Sequence, residues 1–300
     1  MAGTTAEWRA AGLSSAQFRS LTRAGDLVRV RYGVYATRRA VESAAGDPRR
    51  GHALRVAVAR AGVGRHAVAS HQSAALLHGI DLLHQPADGA VWLTRPPGRK
   101  HGKQMDGTHI YAARLPGNHV TELHGMPVTT ATRTVVDLAR SLTFMEGVVA
   151  VDSALRLGKT TDLGLADTVR SCARWPGADK ARRVVAFSSE DAGSVLESCA
   201  RVVFAEAGLP APVLQAAIAD AGAEFIGRVD FCWPAYQVIA EADGMAKYND
   251  PGRARAQIVR DTRLRDAGYQ VVHFTWGELF GARDRVIARV RAAFAAATSY

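Results

Sequence analysis

The feature that most restricts how this chain can fold lies in its last third, where carboxylates are set into apolar, β-prone sequence. FIGRVDFCW (Phe225–Trp233) predicts a strand, PAY (Pro234–Tyr236) its turn, and QVIAEADG (Gln237–Gly244) the returning strand. Residues two apart in a strand share a face, so Glu241 and Asp243 project together, with Asp230 alongside from the neighbouring strand. Upstream, SVLESCARVVFAEAGLP (Ser194–Pro210) predicts an amphipathic helix stopped by Gly208 and Pro210. Its core stripe is Leu196, Cys199, Ala200 and Val203, and Glu197 sits beside that stripe.

Carboxylates in such surroundings are costly unless something compensates them. Clustering raises their pKa values, and a hard divalent cation relieves the repulsion. Mg²⁺ prefers such oxygen ligands, and a water bound to it would be activated to attack a phosphodiester while the ion stabilises the developing charge. The same residues also admit a plainer arrangement. Arg228 bridges Asp230 and Glu241, and Glu197 pairs with Arg201 four residues on, an exposed-type helix pair of about 0.3–0.5 kcal/mol.

With 300 residues the chain can form two or three compact units. Hydrophobic residues make up 48% and the mean hydropathy is -0.06, with no apolar run near the roughly 20 residues of a membrane span. MAGTTAEWRAAG at the N-terminus lacks the basic and apolar regions of a secretory signal. The three cysteines, Cys172, Cys199 and Cys232, form no CxxC pair, so neither a disulfide framework nor structural zinc is expected. These features predict a soluble cytoplasmic protein. The net charge of +10 attracts polyanions such as nucleic acid, although GC-rich coding inflates arginine to the same effect.

Seven of the arginines fall in the first 40 residues, against Glu7 and Asp26. Thr4 or Thr5 caps a helix to Ala11, with Gly12 as its stop, and Ser14 or Ser15 caps a second reaching Ala24, closed by Gly25. LVRVRYGVY (Leu27–Tyr35) then alternates apolar and basic residues and turns near Gly33, the pattern of a two-stranded ribbon. Helix, turn, helix and basic ribbon outline a winged helix-turn-helix. From about Gly46 to Ala186 the chain mixes strands (GAVWLTR, THIYAARL) with helices (AVASHQSAALLHGIDLL, PVTTATRTVVDLARSL) around a basic loop, PPGRKHGK. His71 and His78 fall among apolar neighbours there and are expected to be structural.

Two resemblances cover most of the chain. AGLSSAQFRSLTRAGDLVRVRYGVYA (Ala11–Ala36) resembles the N-terminal domain of AbiEi-type antitoxins of abortive-infection toxin–antitoxin systems, and SHQSAA, TTATRTVVDLA and VDSALRLGK resemble their central region. This implies that Ser15, Gln17 and Arg19 read or position DNA, that Arg29 and Arg31 meet phosphates, and that a cognate toxin is a candidate partner. The family usually carries a further helix upstream.

The stretch from Glu197 to about Leu279, through GLPAPVLQ, RVDF, EADGMAKY and RDTRLRDAGYQVVHFTW, resembles PD-(D/E)XK restriction endonucleases, in the branch of very-short-patch-repair enzymes. The resemblance implies Asp230 and Glu241 as metal ligands and Glu197 as a helix acid orienting the site. Asp243 stands where the general pattern has lysine, with Lys247 as a substitute. Arg260 would contact phosphate, and His273 stands where relatives place arginine.

The expected fold class is therefore α/β, α+β overall: a winged helix-turn-helix over 1–40, a mixed middle domain over 46–186 and a nuclease-like domain over 189–300. The expected function is a DNA-binding, Mg²⁺- or Mn²⁺-dependent endonuclease; the alternative is a non-catalytic antitoxin or transcriptional regulator. The sequence leaves DNA against RNA, and the oligomeric state, undecided.

Overall fold

A computed structural model describes residues 2–64, 66–87, 89–98, 107–243 and 251–297. The fold is α+β, with helices flanking three sheets, and it divides into compact units at residues 1–186 and 187–300. The predicted winged helix and middle region thus share one unit. Among the described residues no helix is long and apolar enough to cross a membrane.

The first unit opens with β1 (Ala2–Thr4), α1 (Thr5–Ala10), α2 (Ser15–Ala24), β2 (Leu27–Arg31) and β3 (Val34–Thr37). Local chemistry fixes these boundaries. Thr4 and Ser14 each close a capping box, with Glu7 and Gln17 returning the bond, and Gly25 ends α2 in the left-handed conformation that a Cβ disfavours. Trp8, Phe18 and Leu27 form the small core. β1 pairs with β3, a pairing that the helix-turn-helix outline did not include, to give the sheet order β1-β3-β2.

Next come α3 (Arg38–Ala45), α4 (Pro48–Val63), β4 (Val68–Ala69), α5 (His71–His78), β5 (Val91–Arg95), β6 (Thr108–Ala112), β7 (Val120–Leu123) and β8 (Met126–Thr129). Four helices follow: α6 (Ala131–Ser141), α7 (Phe144–Arg156), α8 (Asp162–Ser171) and α9 (Ala178–Phe187). Their sheet runs β6-β5-β4-β8-β7. Val56 of α4 and Ala74 of α5 pack on Val91, Leu93 and Val128 beneath it.

Polar groups are also buried in this unit. Asp137 accepts from Arg133 Nε at 2.8 Å and Arg140 Nη1 at 2.9 Å, and both guanidinium groups lie over Trp175. His78 Nε2 bonds the Thr129 carbonyl and His71 Nδ1 the Ser70 hydroxyl, so both histidines are held by structural bonds. Burial first, then nearby arginines, pushes His52 and His71 down to about 4. Below pH 6.5 the unfolded chain takes up protons that these folded histidines refuse. Their contribution to stability is therefore complete above pH 6.5 and is lost as pH falls towards 4. Calorimetric melting of the full chain should show a transition that moves down between pH 6.5 and 5, above most carboxylate titration; a transition flat over that window contradicts the assignment.

The second unit contains α10 (Val195–Glu206), β9 (Val213–Ala219), β10 (Phe225–Trp233), β11 (Val238–Asp243), α11 (Pro251–Asp266), β12 (Gln270–Thr275), α12 (Trp276–Gly281) and α13 (Arg283–Ala297). Its sheet runs β12-β11-β10-β9, antiparallel except for the β11–β12 pair. On one face Phe204 of α10 meets Phe231, Trp233 and Phe274 edge-on, and Phe294 of α13 packs on Trp233. Leu264 of α11 packs with Ile218, Cys232 and Ile239.

Candidate functional site

Strand alternation carries the Cys232 and Ile239 positions on to Asp230 and Glu241, two residues away along each strand. The two acids therefore share the side of the sheet on which Leu264 packs. The β10–β11 ladder pairs Trp233 with Val238 and Phe231 with Ala240, and ends there. Beyond it, Asp230 Oδ2 accepts from Ala242 N at 2.8 Å, so a carboxylate replaces the ladder acceptor where the strands part. Glu241 is 2% exposed and Asp243 5%; both are buried as the alternation requires.

Arg260 stands four residues before Leu264, hence on the same helix face. Its Nη2 donates to Glu241 Oε1 at 2.8 Å and to the Arg228 carbonyl. A Cβ at Gly227 would come within 2.6 Å of Arg260 Nε, so the bare glycine is what lets the guanidinium cross β10. This corrects one expectation: the arginine that meets Glu241 is Arg260, not the Arg228 side chain. The residue expected at phosphate thus stands at the site, paired with one of its acids.

His273 lies opposite Glu241 in the parallel β11–β12 ladder. Its Nδ1 bonds Asp243 Oδ2 at 3.0 Å and its Nε2 bonds Asp261 Oδ2 at 2.8 Å. Hydrogen bonding to Asp243, reinforced by the Asp261 charge, raises the imidazole above its ordinary pKa despite burial. An imidazolium donating from both nitrogens satisfies both carboxylates. Asp243 thus bonds His273, and the residue that looked like a departure on β12 links β11 to α11 beside Glu241. Lys247 lies outside the described residues.

Glu197 enters from α10. Burial, then the Asp230 charge, raises its pKa, against bonds from Ser194 Oγ and Gly193 N at 2.8 Å each and from Gln215. Arg201 donates instead to the Phe187 carbonyl. Gln215 is the site residue that sequence reading missed. Its Nε2 donates to Glu197 Oε2 at 2.8 Å and to Asp230 Oδ1 at 3.3 Å. It sits opposite Asp230, between the Leu214–Phe231 and Ala216–Val229 pairs, with a φ of 49°. For a non-glycine residue that conformation costs on the order of 1–3 kcal/mol, and no local motif announces it.

Among the described residues no group of three or more His, Cys, Asp or Glu converges as a metal cage. The acids form a chain: Glu197, Gln215 and Asp230 on one side, Glu241 with Arg260 on the other, and Asp243, His273 and Asp261 beyond.

In the N-terminal segment Ser15, Gln17, Arg19, Arg29 and Arg31 are all exposed. Gln17 Oε1 is engaged by Ser14 N in the α2 capping box, which leaves its amide nitrogen for any base contact. Arg29 lies 5.0 Å over the ring of Tyr32, an 88% exposed residue at the ribbon tip.

No family model matches the chain. It is 29% identical over 267 residues to "Uncharacterized protein Rv2248" of Mycobacterium tuberculosis H37Rv, covering 89% of this chain and 92% of that protein. "Uncharacterized protein MT2308" of strain CDC 1551 matches to the same extent. The similarity spans both units.

Proposed function

We propose that the chain is a DNA-binding protein whose C-terminal unit is a divalent-metal-dependent endonuclease of restriction-endonuclease type. The observation that carries this reading is the placement of Asp230 and Glu241 on adjacent strands where their ladder ends, with Glu197 joined to Asp230 through Gln215. All the candidate donors are carboxylate oxygens, which suit a hard cation, and Mg²⁺ commonly uses only one or two protein carboxylates. Asp230 and Glu241 would hold the ion, which supplies a lowered pKa for water and neutralises charge on the phosphodiester. Glu197 and Gln215 fix Asp230, the Asp243–His273–Asp261 chain fixes the end of β11, and Arg260 offers a guanidinium to the scissile phosphate.

Incubation with supercoiled, linear, single-stranded and mismatched DNA, and with RNA, in Mg²⁺ or Mn²⁺ tests the reading. Metal-dependent cleavage of DNA is expected; no cleavage of any substrate rejects it.

The Arg260–Glu241 pair favours a second reading, because it neutralises Glu241 without an ion. In that case the protein is a non-catalytic AbiEi-like antitoxin or regulator, with a cognate toxin as partner, and binds an operator without cutting it. Both readings assign the ribbon to DNA backbone. Arg29→Ala and Arg31→Ala should each weaken binding across all sequences and lower the salt slope by about one. Fluorescence anisotropy at several salt concentrations measures this, and an unchanged slope removes the ribbon from the interface.

A further inference from the structure

We propose that Gln215 is the positioning residue of the acidic site, tying Asp230 to Glu197 so that Asp230 is set, with Glu241, for a divalent cation; this rests on the nuclease reading. Two ionised carboxylates accept only, so the group between them must donate, and the Gln215 amide is within bonding distance of both. It reaches them from a strand only because its backbone is left-handed, at φ 49°. An ordinary extended residue there would complete the pairing with Asp230 that the flanking register leaves open. A residue that merely occupied this gap in the ladder would be served better by glycine, which accepts the left-handed conformation freely. The strand retains a glutamine, and its amide spans the two acids.

Gln215→Gly relaxes the backbone while removing the amide. Gln215→Asn keeps an amide on a residue that tolerates the left-handed region but shortens its reach. Mn²⁺ binding to the full-length protein is measured calorimetrically for both variants, for Asp230→Asn and for the parent, with Tm taken in parallel. The expected result is a melting temperature at or above the parent's for Gln215→Gly, with Mn²⁺ affinity about tenfold weaker in both Gln215 variants. Parent-like affinity in both, with Asp230→Asn impaired, overturns the role of Gln215 alone. Equal affinity in the parent and Asp230→Asn, or no binding by the parent, overturns the metal site and the positioning role with it. A fall in Tm for both Gln215 variants with affinity intact assigns Gln215 to structure only.

Discussion

Asp230→Asn and Glu241→Gln should each lower metal-dependent DNA cleavage by about a hundredfold or more while the protein stays folded. Each exchange keeps size and removes one anionic oxygen from the pair proposed to carry the cation, and deleting a single preorganised electrostatic group commonly costs about 10²–10³ in rate. The two differ in their side effects. Asp230→Asn leaves one oxygen for two donors, Ala242 N and Gln215 Nε2, so its amide nitrogen meets one of them and a small fall in melting temperature should come from that lost bond. Glu241→Gln leaves Arg260 facing a neutral amide, and a small fall in stability should accompany the lost activity. Cleavage rates and melting curves on the same preparations test this, and parent-like cleavage by both variants would exclude these acids from the chemistry.

The largest stability effect is expected in the first unit, at Asp137. Its two oxygens take bonds from Arg133 and Arg140, and both Arg133 and Asp137 are 2% exposed at their side chains. Asp137→Ala would leave Arg133 buried without its counter-charge, with Arg140 close by. Breaking a buried pair from one side typically costs about 3–5 kcal/mol, much of the stability of a domain. Replacing both ends, as Arg133→Met with Asp137→Leu, should recover most of the loss, because neither charge is then buried. Urea titration of the full chain measures both. A loss under about 1 kcal/mol for Asp137→Ala would mean that water reaches Arg133.

Elements set by neighbouring residues were legible in the sequence. Thr4, Ser14 and Gly25 mark their helix ends through bonds within four residues, and the acid-bearing strands show their period directly. What was not legible depends on distant partners. β1 is three residues, AGT, with no alternation to read, and it exists by pairing with β3, whose Val34 meets Thr4 and whose Ala36 meets Ala2. Gln215 looks like any polar strand residue until its left-handed backbone turns it between two acids. Arg260 stands out only through the resemblance, as a phosphate contact, and its pairing with Glu241 depends on the helix packing that sets Leu264 on Ile239. His273 reads as a mismatch because its partners, Asp243 and Asp261, come from two other elements.

The central claim, that Asp230 and Glu241 form a cation site, is tested most directly by soaking crystals of the full-length protein in MnCl₂ and collecting anomalous diffraction. The account predicts a manganese peak between the Asp230 and Glu241 carboxylates, with the Arg260 guanidinium moved off Glu241. Arg260 still paired with Glu241, and no peak at those oxygens, would contradict it and leave Arg260–Glu241 as a structural ion pair.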